Sequence, residues 1–198
     1  MIVDPLNRWR EEVGRQVLNL DFLTCGTDPF QASITPILAE NSVRVVRMQF
    51  SPGFTTRDRQ LARDGSDICV LAVGRTSGIE VEQVRRRTRL LAGEATVLRT
   101  TEPGDFGSAL SHDYVAILIP ASHIAPRVKD MDRFAATRIA RTNGALTLLR
   151  RYLRTLENTP IASADVRVAA IEHVVNLAVL SINEAASLRG LGEAESVH

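Results

Sequence analysis

The chain has 198 residues, 44% of them hydrophobic, enough to bury on the order of 70% of its unfolded surface in one core with a helical appendage. Its 24 basic and 23 acidic residues leave a net charge of +1, so no strong field calls for nucleic acid, a membrane surface or an acidic substrate, and the chain by itself is expected to bind DNA poorly. No stretch reaches about 18 uncharged apolar residues, and Met1 to Arg8 lack a basic lead followed by an apolar run, which predicts a cytoplasmic protein with no membrane contact.

Residues 1–24 read as an N-terminal helical segment. Leu6, Trp9, Val13 and Val17 recur at helical spacing, with Arg8, Arg10, Glu11, Glu12 and Arg15 mostly outside. From 25 to 120 the signal changes to short strands: Gln31 to Leu38, Val43 to Phe50, Asp67 to Val73, Gly78 to Val84, Thr88 to Leu91, Ala95 to Arg99 and Tyr114 to Ile119, punctuated by Gly, Pro, Asn and Asp. Seven or eight strands at such intervals predict a barrel or sandwich. Cys25 and Cys69 are too few for a disulfide framework and are expected as free thiols, Cys69 as a small buried hydrophobe.

After Pro120 the period switches from two to 3.6, and residues 121–188 read as a helical annex. Ala145, Leu149, Tyr152, Leu153 and Leu156 form one apolar stripe, with Arg150, Arg151 and Arg154 as a solvated face, and Thr159-Pro160 ends the helix. Ser163 offers a cap for a last helix from Ala164 to Leu188. Val166, Ala170, Leu177 and Leu180 mark one side of it; Val168, Ile171, Val175 and Ile182 mark another. A helix apolar on two sides must bury both, so the first side, with His173, is the candidate dimerisation surface; the alternative is a three-layer packing within one chain. Residues 189–198 lack periodicity and read as a linker or tail.

The candidate chemistry is sparse. Histidines 112, 123, 173 and 198 are too scattered for a metal site, and no cofactor is expected. His112 is expected in a loop and His173 in a core or interface. Ser111-His112-Asp113 places triad residue types side by side without the geometry a triad needs, so no catalytic residue is assigned. Arg85-Arg86-Arg87-Thr88-Arg89 reads as a solvated hairpin tip. Arg57 and Arg59 are the sharper pair. Alternate residues of a strand share a face, so both could point inward and hold a carboxylate, with Met48, Cys69 and Leu71 as apolar lining; the alternative is a surface pair facing Asp58 or Asp64.

Pro52-Gly53, the strands that follow and Leu91-Ala92-Gly93-Glu94 resemble a cupin, an α+β fold here given a small β-barrel, an N-terminal helix and a C-terminal helical annex. Enzymatic cupins hold a metal with two closely spaced histidines and a glutamate. Between Phe54 and Asp67 this chain has arginines where imidazoles would be needed, and arginine has no lone pair to give a metal. Taken in order, Trp9, Asp28-Pro29-Phe30-Gln31-Ala32, Pro52-Gly53 with Arg57, Asp67 to Leu71, Gly78 to Gln83, Leu91 to Glu94, Ile117-Leu118-Ile119-Pro120 and the two closing helices resemble the ligand-binding and dimerisation domain of AraC-type transcriptional regulators. The chain lacks the glycine usual in that family after Gln83, and Ala121 replaces its common arginine. The resemblance implies a small organic effector in a metal-free barrel, a homodimer, and DNA contact through a C-terminal helix-turn-helix domain that this chain lacks. The competing readings are a cupin-type isomerase or oxygenase, and a structural dimerisation module with a filled barrel, which a ligand-sized cavity would discriminate from a sensor.

Overall fold

A computed structural model of the protein describes residues 5–14, 19–128 and 131–195, so Val17 and His198, and the side chain of Val13, lie outside the described residues. In chain order the strands are β1 (Asp21–Thr24), β2 (Ala32–Glu40), β3 (Val43–Phe50), β4 (Gly53–Arg57), β5 (Ile68–Gly74), β6 (Ile79–Gln83), β7 (Arg86–Leu90), β8 (Ala95–Arg99), β9 (Gly104–Ser108), β10 (His112–Pro120) and β11 (Arg138–Ile139). They form two antiparallel sheets, one of five strands ordered β1-β4-β9-β6-β7 and one of six ordered β11-β8-β5-β10-β3-β2. The fold is cupin-like, as expected, but its two sheets do not close into a continuous barrel.

The six-stranded sheet sits in the middle of the molecule. Cys69 to Gly74 of β5 and Tyr114 to Ile119 of β10 are buried without interruption, which is why both read as apolar runs rather than alternations. Met48, Val70, Ala72, Tyr114, Ala116 and Leu118 face the smaller sheet and pack with Ile79, Val81, Leu90 and Phe106. Cys69, Leu71, Val73, Val115, Ile117 and Ile119 face the other way, into the helices. At the edge, β2 carries Pro36, and its register with β3 shifts between Pro36 and Leu38; an edge tolerates a residue with no N–H to donate.

Helix α1 (Pro5–Trp9) and the π-helical turn Arg10–Gly14 bring Trp9 over one end of the inter-sheet space. Helix α2 (Ala121–Ile124) follows β10, and α3 (Gly144–Glu157) and α4 (Ala164–Glu195) form the outer layer. Leu146, Leu149, Leu153 and Leu156 of α3 and Ile171, Val174, Val175, Ala178, Val179 and Ile182 of α4 share a core with the outer face of the six-stranded sheet. Asn143 caps α3: its side-chain oxygen accepts from the Leu146 N–H at 2.8 Å, and its amide donates to the Ser181 carbonyl at 3.0 Å. Glu184 of α4 accepts from the Gly144 and Ala145 N–H groups, which together hold its carboxyl below the usual range. Helix α4 runs past Leu188 to Glu195, so the start of the expected tail is helical. Gly190 and Gly192 cost about 1 kcal/mol each in a helix, but a glycine stops one only by turning left-handed.

Strands β1, β4, β9 and β11 had no counterpart in the expected set. β4 and β9 are glycine-bearing and pair tightly: a Cβ at Gly107 would lie 2.2 Å from the Gly53 carbonyl oxygen. Such strands exist because their backbones meet, so they carry little side-chain pattern. The β6–β7 hairpin turns through Val84 and Arg85, both at positive φ (52° and 56°), the two-residue geometry that Asn-Gly satisfies and a β-branched residue resists. Replacing Val84-Arg85 by Asn-Gly is expected to stabilise the protein by about 1 kcal/mol and raise Tm by about 2 °C, read by thermal unfolding; an unchanged or lower Tm would contradict it.

Candidate functional site

The space between the sheets is filled by aromatic rings at one end and leaves a small cavity at the other. Trp9 packs edge-on against Phe22, Phe30 and Phe50 with centroids 5.6–5.9 Å apart, and Phe50 stacks on Phe22 and on His112. Beyond Tyr114 lies a cavity of about 60 Å³ walled chiefly by Met48, Val70, Ala72, Leu98, Phe106 and Ala116. A dry cavity of roughly 150 Å³ admits benzene, and a water needs about 10–15 Å³. In this conformation the cavity therefore accepts only a few atoms.

Its mouth is closed by side chains that tie one sheet to the other. Arg57 of β4 is 5% exposed; its guanidinium donates to the Thr100 carbonyl at 2.7 Å, the Asn19 carbonyl at 2.9 Å and the Asp64 carboxylate at 2.8 Å. Burial alone would raise the Asp64 carboxyl, but the Ser66 N–H, Arg57 and Asn19 outweigh it and hold it below the usual range. Gln83, at the end of β6, donates to the Arg99 and Glu102 carbonyls and accepts from the Arg99 N–H. Both ties reach backbone that follows or ends β8, where no ladder joins the sheets.

Of the expected lining, Met48 and Arg57 reach the cavity. Arg57 does so as a structural tie, with its donors already engaged. Arg59 does not: the Asp58 carboxylate accepts from the Gln60 and Leu61 N–H groups, the strand stops at Arg57, and Arg59 sits exposed in the turn. Cys69 and Leu71 face the helical core instead, and their neighbours Val70 and Ala72 line the cavity. Burial pushes the Cys69 thiol up to about 12, the behaviour of an inert hydrophobe. Gln83 and Tyr114 were not anticipated; Ile79, Val81 and Gln83 alternate inward, so a polar side chain at an inward position of β6 was the available signal. Arg57→Met, which removes the donor to the Thr100 and Asn19 carbonyls and one of the partners of Asp64, is expected to cost about 3 kcal/mol in urea unfolding; a loss under about 1 kcal/mol would contradict the tie.

Tyr114 and Arg99 also belong to the polar lining; the Nε of Arg99 is buried without a hydrogen-bond partner among the described residues, while its Nη atoms pair with Asp67 and Asp132, and Tyr114 lines the cavity beside Phe106. Tyr114 is buried, its hydroxyl is pushed toward higher pKa by that burial, and no described residue hydrogen-bonds it. His112, expected in a loop, begins β10 and is 2% exposed. Its Nδ1 lies 3.2 Å from the Leu110 carbonyl and its Nε2 is buried without a partner. Burial lowers its pKa, outweighing Leu110 and Asp113. The folded state thus favours neutral His112, so its contribution is present above the unfolded value of about 6.5 and is lost as pH falls below it. Wild type is expected to lose more urea stability between pH 7 and pH 5 than His112→Phe; parallel pH profiles would contradict this.

A family model described as an AraC-binding-like domain matches residues 9–182. The chain belongs to this family. The AraC-binding-like fold is similar to a solved structure of the AraC-like transcriptional activator CuxR, with a TM-score of 0.74 at 15% identity, covering 91% of this chain and 68% of that one; at that identity the likeness is one of fold. Two EutQ proteins also match. The one from Salmonella typhimurium LT2, an ethanolamine utilization protein, has 16% identity, covers 48% of this chain and 75% of that one, and scores 0.37. The one from Clostridium difficile has 8% identity, covers 50% and 69%, and scores 0.38. No curated protein matched by sequence. Among the described residues no three His, Cys, Asp or Glu side chains converge as a metal ion requires, and no helix is long and apolar enough to cross a membrane.

On the helical layer of this AraC-binding-like domain, Ala170 is buried within its own chain and Leu177 is half-buried, which corrects their expected place on a free surface. Val166, His173 and Leu180 are exposed, together with Leu148 of α3. His173 is therefore not a core residue; it meets the Tyr152 ring edge-on at 5.9 Å. Within one chain the molecule is already three layers, the alternative weighed against dimerisation, yet an apolar strip of α4 remains uncovered.

Proposed function

We propose that this chain is the effector-sensing and dimerisation part of a cytoplasmic AraC-type transcriptional regulator, a binding protein rather than a catalyst, with DNA contact left to a separate helix-turn-helix domain. The Tyr114 side chain, buried but lining the inter-sheet cavity, carries the reading: no hydrogen bond of its hydroxyl is found among the described residues, so it can donate to or accept from a polar atom of a bound molecule. The effector is small and mostly apolar, with one polar atom for Tyr114. Arg57 and Gln83 are engaged by the protein's own backbone and, for Arg57, by Asp64.

The observed cavity is the narrow state. An effector larger than a few atoms selects a wider spacing of the two sheets, and its preference for that spacing is the free energy available for signalling. Strands β5 and β10 carry the change outward, because alternate residues of the same strands line the cavity and pack under α3 and α4. The exposed strip Val166, His173 and Leu180, with Leu148, is the surface on which two copies meet, and dimer geometry then sets the spacing of the DNA-binding units.

Native mass spectrometry of the chain purified without added ligand tests both parts. Wild type is expected as a metal-free dimer that retains a small organic mass; Leu180→Glu is expected as a monomer with unchanged circular dichroism, and Tyr114→Phe as a dimer that holds the organic mass at least 10-fold less. A wild-type monomer at every concentration would overturn the dimer. Equal retention by Tyr114→Phe would overturn the assigned site, and a stoichiometric metal would favour the enzyme reading.

A further inference from the structure

On the opposite side of the six-stranded sheet from the inter-sheet cavity, a cleft of about 310 Å³ lies between the end of β5, the turn at Ala92-Gly93 and helix α3. Its lining holds three arginines, Arg75, Arg150 and Arg154, and no acidic side chain. Arg75 is paired with Glu157 and Asp113. Arg150 and Arg154 are different: no described residue gives either guanidinium a carboxylate or carbonyl. Arg150 is half-buried, and its guanidinium lies over Gly93, where a Cβ would come within 2.6–2.7 Å of Cζ and both Nη atoms. Gly93, at φ +83°, thus gives the guanidinium a flat bare backbone to rest on.

A positive group partly withdrawn from water and without a counter-ion is unfavourable, and here it is compounded. Burial first, then Arg154 and Arg141, lower the pKa of Arg150. Arginine does not deprotonate at neutral pH, so the strain is relieved by an anion rather than by loss of a proton. Arg150 and Arg154 are one helical turn apart on the same face, with Cβ atoms about 5–6 Å from each other. Two guanidiniums lining one cleft can converge on one doubly charged oxyanion, each able to form paired N–H···O bonds. A carboxylate would neutralise only one of them.

We propose that Arg150 and Arg154, at the lip of this cleft over Gly93, bind a phosphoryl dianion, either inorganic phosphate or the phosphate ester of a small metabolite. The site is separate from the inter-sheet cavity. It spans the joint between sheet and annex, so occupancy ties α3 to the Ala92-Gly93 turn.

The test is an NMR titration of the arginine side-chain Nε–H signals with sodium phosphate, phenyl phosphate and sodium acetate at constant ionic strength. Phosphate is expected to shift Arg150 and Arg154 saturably, while acetate does not. Arg150→Gln and Arg154→Gln are each expected to weaken phosphate at least 5-fold with backbone spectra intact, and Arg151→Gln, on the exposed side of α3, to leave it unchanged. Tighter binding of phenyl phosphate than of phosphate would identify an ester as the ligand, and equal binding the free ion. Shifts that never saturate, that acetate reproduces, or that Arg151→Gln weakens equally would overturn the proposal.

Discussion

The central strands of the six-stranded sheet, β5 and β10, have no face to water, and the rest of the molecule follows from that. A sheet apolar on both sides must be covered twice. The five-stranded sheet with its aromatic plug does one job, and α3 and α4 do the other. Neither cover could be removed without exposing a row of β5 and β10 side chains. The same alternation places the two candidate sites in contact with one element: Val70, Ala72 and Tyr114 look into the inter-sheet cavity, while Val73 and Val115 floor the arginine cleft.

Where the sheets fail to join by a ladder, polar side chains substitute for it. Arg57 and Gln83 each bond backbone groups at or just after the end of β8, and Arg57 also holds the Asn19 carbonyl and the Asp64 carboxylate, so the mouth is held by bonds that can be exchanged individually. A continuous barrel could widen only by breaking several ladder bonds together. Tyr114 lines the cavity beside these ties. Its ring packs against Phe106 of the opposite sheet with centroids 4.6 Å apart.

The sequence was most legible where period and composition agreed. Val43 to Phe50 and Ala95 to Arg99 coincide with β3 and β8, the helix start at Ala164 is as expected, and Trp9 is helical and buried, as its place in the apolar spacing of the early segment implies. The inward face of β5 was not legible. Ile68-Cys69-Val70-Leu71-Ala72-Val73 is apolar on both sides, and nothing in such a run says which parity looks toward the smaller sheet. A one-residue error therefore moved Cys69 and Leu71 to the wrong side. Arg57 and Arg59 failed as a pair for a different reason: the Asx turn at Asp58 ends the strand between them. Gln83 and His112 were visible as residues, but their roles depend on long-range partners, the end of β8 and Phe50 respectively.

The first turn of α3 takes its capping partners from α4: Asn143 reaches the Ser181 carbonyl, and Glu184 reaches the Gly144 and Ala145 N–H groups. Neither helix can slide or roll on the other without leaving those donors and acceptors empty. The two helices are accordingly clamped at that end as one piece, and because both also share the core under the six-stranded sheet, the annex and the sheet are packed as a single unit.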